Sequence, residues 1–133
     1  MRAGLDTGYF VLLLQNHTEA VELYRSILSG KVVGVVPVIV CFELKRLALR
    51  GAVDREAYDT LEKAWEVLFH VEPATLEASL EAAIISHSTG LSAADALIYA
   101  VCKRAGCQEL WTTDRHFSRV RSRHLHVRLL EAS

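Results

Sequence analysis

The sequence predicts an α/β domain in which a mostly parallel sheet carries helices on both faces. Three observations predict it. Short runs of β-branched and apolar residues, among them 32–36 and 110–112, are bounded by polar turns. Between such runs lie longer stretches with apolar residues at helical spacing, as in Ala20, Leu23, Tyr24, Ile27 and Leu28. The two kinds alternate along the whole chain, the pattern of strand–helix–strand units. With 133 residues, 51% of them hydrophobic, the sequence reads as one domain, 1–133, able to bury its own core.

Residues 3–5 are long enough for only a very short strand, and Asp6-Thr7-Gly8 then turns into an apolar helix over 9–14. Thr18 is the expected N-cap of a second helix and Gly30 its C-cap. After the strand at 32–36, Pro37 suits the first turn of a helix over 38–50, closed by Gly51. Asp54 caps the next helix, whose apolar face is Tyr58, Leu61, Trp65 and Leu68. Residues 67–71 read as a strand, and Pro73 restarts the chain. Leu76, Leu80, Ala83, Ile84 and His87 recur at helical spacing until Gly90 breaks the pattern. His87, on that apolar face, reads as a core histidine, and Trp65 and Trp111 read as core residues. Tyr9, Phe10 and the leucines at 12–14 read as core, with part of that face available to a dimer contact. Ser92 caps a helix running to Arg104, with Gly106 behind it. After the strand at 110–112, Asp114 opens a short basic segment, and 127–130 form a last edge strand. There is no internal repeat, low-complexity segment or linker.

Composition excludes several classes. The net charge is −1, so the chain is no polycation and any nucleic-acid contact must come from a local basic patch. Cys41, Cys102 and Cys107 are odd in number and match no zinc spacing. They point to free thiols in a reducing, cytoplasmic setting, with one disulfide plus a spare thiol as the alternative. The longest apolar run, 32–42, contains Gly34 and Pro37 and falls far short of the ~20 residues a membrane helix needs. Asp6 interrupts the only stretch that resembles a signal peptide.

Four acids in apolar company carry the chemistry: Asp6, Glu43, Asp95 and Asp114. Taken singly, three have ordinary explanations. Asp114 reads as a helix cap. Asp95 reads as the acid of a capping box with Ser92, and Asp6 as a turn or cap aspartate. Glu43 differs. On a helix over 38–50 it shares the core-facing stripe with Val36, Val40 and Leu47, where a carboxylate has no capping role and needs a partner. That partner is either a salt bridge to Lys45, Arg46 or a distant arginine, or a metal ion. Asp6, Asp95 and Asp114 all fall at strand-to-helix junctions on one edge of the inferred sheet, the edge where open α/β sheets bind ligands. Carboxylates held together repel, so such a cluster requires protons or cations. An all-oxygen donor set favours Mg²⁺ or Mn²⁺, and the chemistry that follows is phosphodiester hydrolysis.

At these residues the sequence resembles a PIN domain, in particular the small VapC-type ribonuclease toxins. The likeness rests on Leu5-Asp6-Thr7, Phe42-Glu43-Leu44, Leu91-Ser92-Ala93-Ala94-Asp95-Ala96 and Thr112-Thr113-Asp114-Arg115-His116-Phe117. Each motif is short; their order, spacing and the total length carry the resemblance, which spans nearly the whole chain. It implies an α/β/α sandwich with a central parallel sheet. It also implies a Mg²⁺- or Mn²⁺-dependent endoribonuclease using Asp6, Glu43, Asp95 and Asp114, inhibited by a small cognate antitoxin. The family often has threonine at the position of Thr112, which is carried over as a hydrogen-bonding neighbour of the site. Thr7, Ser92 and Arg115 are expected beside the acids or the substrate. Two departures remove donors that orient carboxylates: Gly8 stands where the family often has Ser or Asn, and Val40 where it often has a hydroxyl residue.

The C-terminal segment is locally basic, with Arg115, Arg119, Arg121, Arg123 and Arg128 beside His116, His124 and His126. It reads either as an RNA phosphate-binding rim or as a solvated surface or antitoxin interface. His124 and His126, at period-2 spacing, would share a face of a strand. The expected function is RNA cleavage by a toxin-type endoribonuclease acting as a homodimer. The alternative, motivated by Gly8 and Val40, is a PIN scaffold that binds RNA or a protein without cutting. A receiver-like Mg²⁺ pocket fits less well, since no phospho-accepting aspartate sits on a middle strand.

Overall fold

The computed structural model describes residues 1–131 and consists of five strands and seven α-helices. The strands are β1 (Arg2–Leu5), β2 (Val33–Pro37), β3 (His70–Glu72), β4 (Glu109–Thr112) and β5 (His126–Leu129). The helices are α1 (Thr7–Leu14), α2 (Thr18–Leu28), α3 (Val38–Leu49), α4 (Arg55–Glu62), α5 (Trp65–Leu68), α6 (Leu76–Thr89) and α7 (Ala93–Arg104). The strands form one sheet in the order β3-β2-β1-β4-β5, and every pairing is parallel. Parallel strands need helical crossovers, and the alternation in the sequence supplies them.

The central strand, β1, is buried from Ala3 to Leu5. Ala3 and Leu5 are fully buried, and Gly4 lies so close to α7 that a Cβ there would stand 2.5 Å from Cys102 Sγ. Helix α7 therefore packs directly on β1, and its alanine-rich sequence allows the approach: Ala96, Ile98, Tyr99, Ala100, Val101 and Cys102 are all buried. The opposite face of the sheet is covered from α2 and the end of α5. A Cβ on Gly34 would stand 2.9 Å from both Ile27 and Phe69. Edge-to-face aromatics fill the space beside them, with Phe10 centred 5.0 Å from Trp65 and 5.5 Å from Phe69. Trp65 and Trp111 are core residues as expected.

Several sequence expectations shift. The strand expected over 67–71 is β3 at His70–Glu72. The residues before it form the short helix α5, which leaves Val67 82% exposed. The N-cap of α2 is His17, whose Nδ1 accepts from Ala20 N–H at 3.4 Å, and Thr18 is the first helical residue. The last strand is one residue earlier than expected, and His124 precedes it while His126 opens it, both exposed. On α6 the buried positions are Ala78 and Ala82. The larger residues Leu76, Leu80 and Ile84 face outward, and His87 is exposed rather than core. The reason is steric: α6 lies close against α7, its small side chains fill that contact, and of its larger apolar residues only Ile85 is partly buried against the core. Cys41, Cys102 and Cys107 are free thiols. Among the described residues no helix is long and apolar enough to cross a membrane.

The strand order reverses between β1 and β4. From β1 the chain steps outward to β2 and β3, then returns across the sheet to β4 and β5. Such a reversal leaves a crevice at the carboxyl ends of the two strands. Asp6 follows β1 and Asp114 follows β4 by two residues, so both stand at its mouth.

Candidate metal centre

Each acid is set by a local backbone device. Asp6 is the N-cap of α1: its Oδ1 accepts from Thr7 N–H at 2.7 Å, and its own N–H donates to Trp111 O at 3.0 Å, which ties it to β4. Asp114 caps a 3₁₀ turn at Arg115–Arg119 and accepts from His116 N–H at 2.8 Å. Asp95 lies in the first turn of α7, with its N–H donating to the Ser92 cap hydroxyl at 3.2 Å. The capping roles anticipated for Asp6 and Asp114 exist, while at α7 the cap is Ser92 and the Asp95 carboxylate is left for the crevice.

Two threonines link the acids. The fully buried Thr112 hydroxyl donates to Asp6 Oδ2 at 2.5 Å and accepts from Asp114 N–H at 3.0 Å, bridging the two sides of the crevice. The Thr7 hydroxyl donates to Glu43 Oε1 at 2.7 Å, while the Thr7 N–H holds Asp6. A hydrogen-bonded line therefore runs Glu43–Thr7–Asp6–Thr112–Asp114, and Asp95 abuts its far end.

Glu43 does not lie on the core stripe of α3. That stripe is Val40, Leu44 and Ala48, and Glu43 flanks it half-buried, held by Thr7 rather than by a salt bridge. The hydroxyl expected three residues before Glu43 has no room to act. Val40 is fully buried in the core, and the orienting donor comes from α1 instead. Gly8 has a comparable explanation. A Cβ there would collide with the Thr113 hydroxyl, so a side chain at 113 fills the space a residue at 8 would occupy.

Electrostatics mark the cluster. Burial pushes the Asp6 carboxyl up to about 6 from an ordinary value near 3.8. The Thr112 and Thr7 hydrogen bonds oppose the rise, and the charges of Glu43 and Asp114 add to it. Asp95 is raised to about 7, first by burial and then by the adjoining Asp114 carboxylate. A proton on Asp95 relieves its repulsion with the Asp114 carboxylate. Carboxylates that bind protons this readily also suit a divalent cation. Ligand atoms of Asp95, Asp114 and His116 lie within 4.8 Å of one another. The donors are mainly hard oxygens, which fits Mg²⁺ or Mn²⁺.

Sequence places His116 in the basic segment and in the Thr112–Phe117 motif, without a role at the site. Its Nδ1 stands 3.1 Å from Asp114 Oδ1. The signal was Asp-x-His at the start of a capped turn: the backbone bond from residue 116 to the cap brings the imidazole back beside its own carboxylate. The rest of the segment disperses. Arg115 lies 4.0 Å from Glu131, and Arg128 pairs with Glu19 at 3.1 Å while stacking on Trp111. Arg121, Arg123 and His124 lie on the connection that returns to the start of β5, which pairs with the first residue of β4. They therefore head for the sheet edge opposite the acids.

A family model described as PIN domain matches residues 4–122. No match is found among curated protein sequences. Solved structures share the fold. VapBC2 from Rickettsia felis, bound to a DNA fragment from their promoter, aligns with a TM-score of 0.75 at 14% identity, covering 98% of this chain and 100% of that one. VapBC-1 from nontypeable Haemophilus influenzae aligns at 0.72 and 17% identity, covering 97% and 98%. Mycobacterium tuberculosis VapC20, described as a sarcin-ricin loop cleaving toxin, aligns at 0.67 and 23% identity, covering 87% and 92%.

Proposed function

The chain belongs to the PIN domain family, and from that premise we propose that it is a divalent-metal-dependent endoribonuclease of the VapC type, the toxin of a toxin–antitoxin pair. The observation that carries this reading is the convergence of Asp6, Asp95 and Asp114 at the strand-order reversal, with two of the three carboxyls pushed up toward neutrality.

Asp6, Asp95 and Asp114 would hold Mg²⁺ or Mn²⁺, with Glu43 at the border of the site. A cation bound there supplies Lewis acidity toward a water and toward the scissile phosphate. Asp6 is fixed by Thr7 N–H and the Thr112 hydroxyl, so its oxygens need no rearrangement to meet a ligand. Glu43, held by Thr7, positions the attacking water or serves a second metal. In-line attack at phosphorus breaks the bond to the ribose 3′ oxygen, which leaves as a hydroxyl once protonated, and the new phosphate stays on the 5′ side of the next nucleotide. Arg115 and Ser92 flank the aspartates and are assigned to substrate contact and to fixing Asp95.

The structural neighbours described as VapBC support a small cognate antitoxin as partner; a homodimer remains part of the proposal. VapC20, described as a toxin that cleaves the sarcin-ricin loop, supports RNA as substrate. Of the departures that favour a non-cutting scaffold, Val40 is offset by the Thr7 donor to Glu43, and at Gly8 the Thr113 side chain occupies the space a larger residue would need.

The deciding experiment is incubation of a structured RNA with purified, antitoxin-free protein in Mn²⁺, in EDTA, and with Asp95→Asn alongside. Cutting that requires metal and vanishes in the variant supports the nuclease. A folded protein that cuts under no condition leaves the binding scaffold, and cutting that survives Asp95→Asn removes the assignment of the site.

A further inference from the structure

We propose that Arg46 on α3 and Arg50 at its C-cap, with the exposed ring of Phe42, form a phosphate-and-base subsite that grips the single-stranded RNA beside the scissile bond; the inference rests on the nuclease reading above. A cavity of about 190 Å³ opens directly off the acid cluster, lined by Thr7, Glu43, Arg46, Leu47 and Arg50. Its acidic wall is Glu43, the outermost of the four carboxylates, and its other wall is the pair of guanidinium groups.

Six of the chain's cations are neutralised locally. Lys45, Arg55, Lys103, Arg104, Arg115 and Arg128 each have a carboxylate within 4.0 Å. Among the described residues Arg46 and Arg50 have none, although Glu43 shares their cavity. Arg46 lies instead 5.7 Å over the Phe42 ring. Phe42 is 59% exposed, and it sits one residue before Glu43. An exposed aromatic with an arginine against its face offers a stacking surface for a base, and single-stranded RNA is gripped by such stacking combined with cationic groups.

Helical spacing orders these groups. Glu43 and Arg46 are three residues apart on one face of α3, and Arg50, four residues further on, is the C-cap that closes the helix on that side. The two arginines lie about 6 Å apart along the helix axis, comparable to the separation of successive phosphates in an extended strand. A polyanion entering an acidic crevice meets repulsion everywhere except where a cation is bound. Unpaired guanidinium groups at the exit of the crevice offset that repulsion for the flanking phosphates.

The test uses Asp6→Asn protein, so that RNA is not consumed, and a fluorescein-labelled single-stranded oligoribonucleotide read by anisotropy across a salt series. Adding Arg46→Ala and Arg50→Ala is expected to weaken binding by about tenfold or more near 0.1 M salt and to lower the slope of log K against log salt by about 1.4, at about 0.7 per phosphate contact. In otherwise wild-type protein the same pair should raise KM and leave kcat nearly unchanged. Lysines at both positions should restore the slope. Arg121→Ala with Arg123→Ala, the same charge change toward the opposite sheet edge, should leave both readouts near the starting protein. Unchanged affinity and slope in the Arg46/Arg50 variant overturn the subsite while leaving the nuclease reading intact, and so does an equal loss in the Arg121/Arg123 control. A variant that loses antitoxin binding but holds RNA as before assigns the face to a protein and also overturns it. If no preparation binds or cuts RNA, the nuclease reading falls and the subsite falls with it.

Discussion

The two sides of the acid cluster are built differently. On the β1 side, Asp6 is 5% exposed and receives hydrogen bonds from Thr7 and Thr112, both fixed by secondary structure. On the β4 side, Asp95, Asp114 and His116 are more open. Asp114's side chain is 34% exposed and that of His116 63%, and the Asp95 and Asp114 carboxylates adjoin each other, with Asp114 held by the exposed His116 N–H. The buried side is preorganised, with its carboxylate oriented by Thr7 and Thr112 alone. The open side stores repulsion that only a proton or a cation relieves. The difference teaches which contacts set geometry and which set affinity and pH response, and mutations separate the two.

The largest effect is expected at the buried side. Asp6→Asn keeps the cap geometry and the volume but removes the charge at the most rigid position. RNA cleavage should fall to background while the far-UV spectrum and melting remain those of a folded protein. A folded Asp6→Asn protein that cuts at the wild-type rate would show that the preorganised carboxylate is not part of the chemistry.

Next in size is Thr112→Val, which keeps the shape and deletes the bridge. It leaves Asp6 Oδ2 without its donor and the Asp114 N–H without its acceptor. Loss of a group that orients a ligand typically costs about 10–100-fold in metal affinity or activity. Mn²⁺ titration by calorimetry should show a loss in that range, and a change under twofold would mean that the two sides are set independently of Thr112.

The open side should instead dominate the pH response of the metal-free protein. Both raised carboxyls are protonated more readily in the fold than in the unfolded chain, where the value is near 3.8. The folded state therefore binds more protons across the interval from about 4 to about 7, and its stability falls as pH rises through that interval. Melting in EDTA should drop by several degrees from pH 4.5 to 7.5, and Mn²⁺ at pH 7.5 should recover it. In Asp95→Asn the slope should flatten. A melting temperature that rises steadily with pH in EDTA would contradict the stored repulsion.

The same contrast explains what was legible in the sequence. The acids, their order and their strand-to-helix positions were readable because capping and hydrophobic period are local signals, and Asp6, Asp95 and Asp114 sit on those signals. Thr112's role came from family resemblance, since a threonine at a strand end says nothing local about what its hydroxyl reaches. Glu43 was read as facing the core because a 3.6-residue period cannot separate the centre of a stripe from its flank. The resolving contact, Thr7 to Glu43, joins residues 36 apart. Gly8 read as a lost donor because nothing near it in sequence reveals that Thr113 fills its space. The outward face of α6 misled for a different reason. Leu76, Leu80 and Ile84 have the period of a buried face, but the small Ala78 and Ala82 fill the contact with α7.

The smallest expected effect sharpens the open side further. His116 adds one nitrogen to an otherwise oxygen donor set, within 4.8 Å of ligand atoms on Asp95 and Asp114. Imidazole suits transition metals, whereas Mg²⁺ is held by carboxylates and water. His116→Gln should therefore lower Mn²⁺ affinity a few-fold and leave Mg²⁺ affinity nearly untouched, narrowing the preference between them. Electron spin-echo measurements on the Mn²⁺-loaded protein give an independent reading: nitrogen coupling present in the wild type should disappear in the variant. If the coupling is absent from the wild type, His116 does not reach the metal, and its closeness to Asp114 reflects only the capped turn. In that case the open side is an all-oxygen site, selectivity between the two ions rests on geometry alone, and His116→Gln should shift both affinities equally.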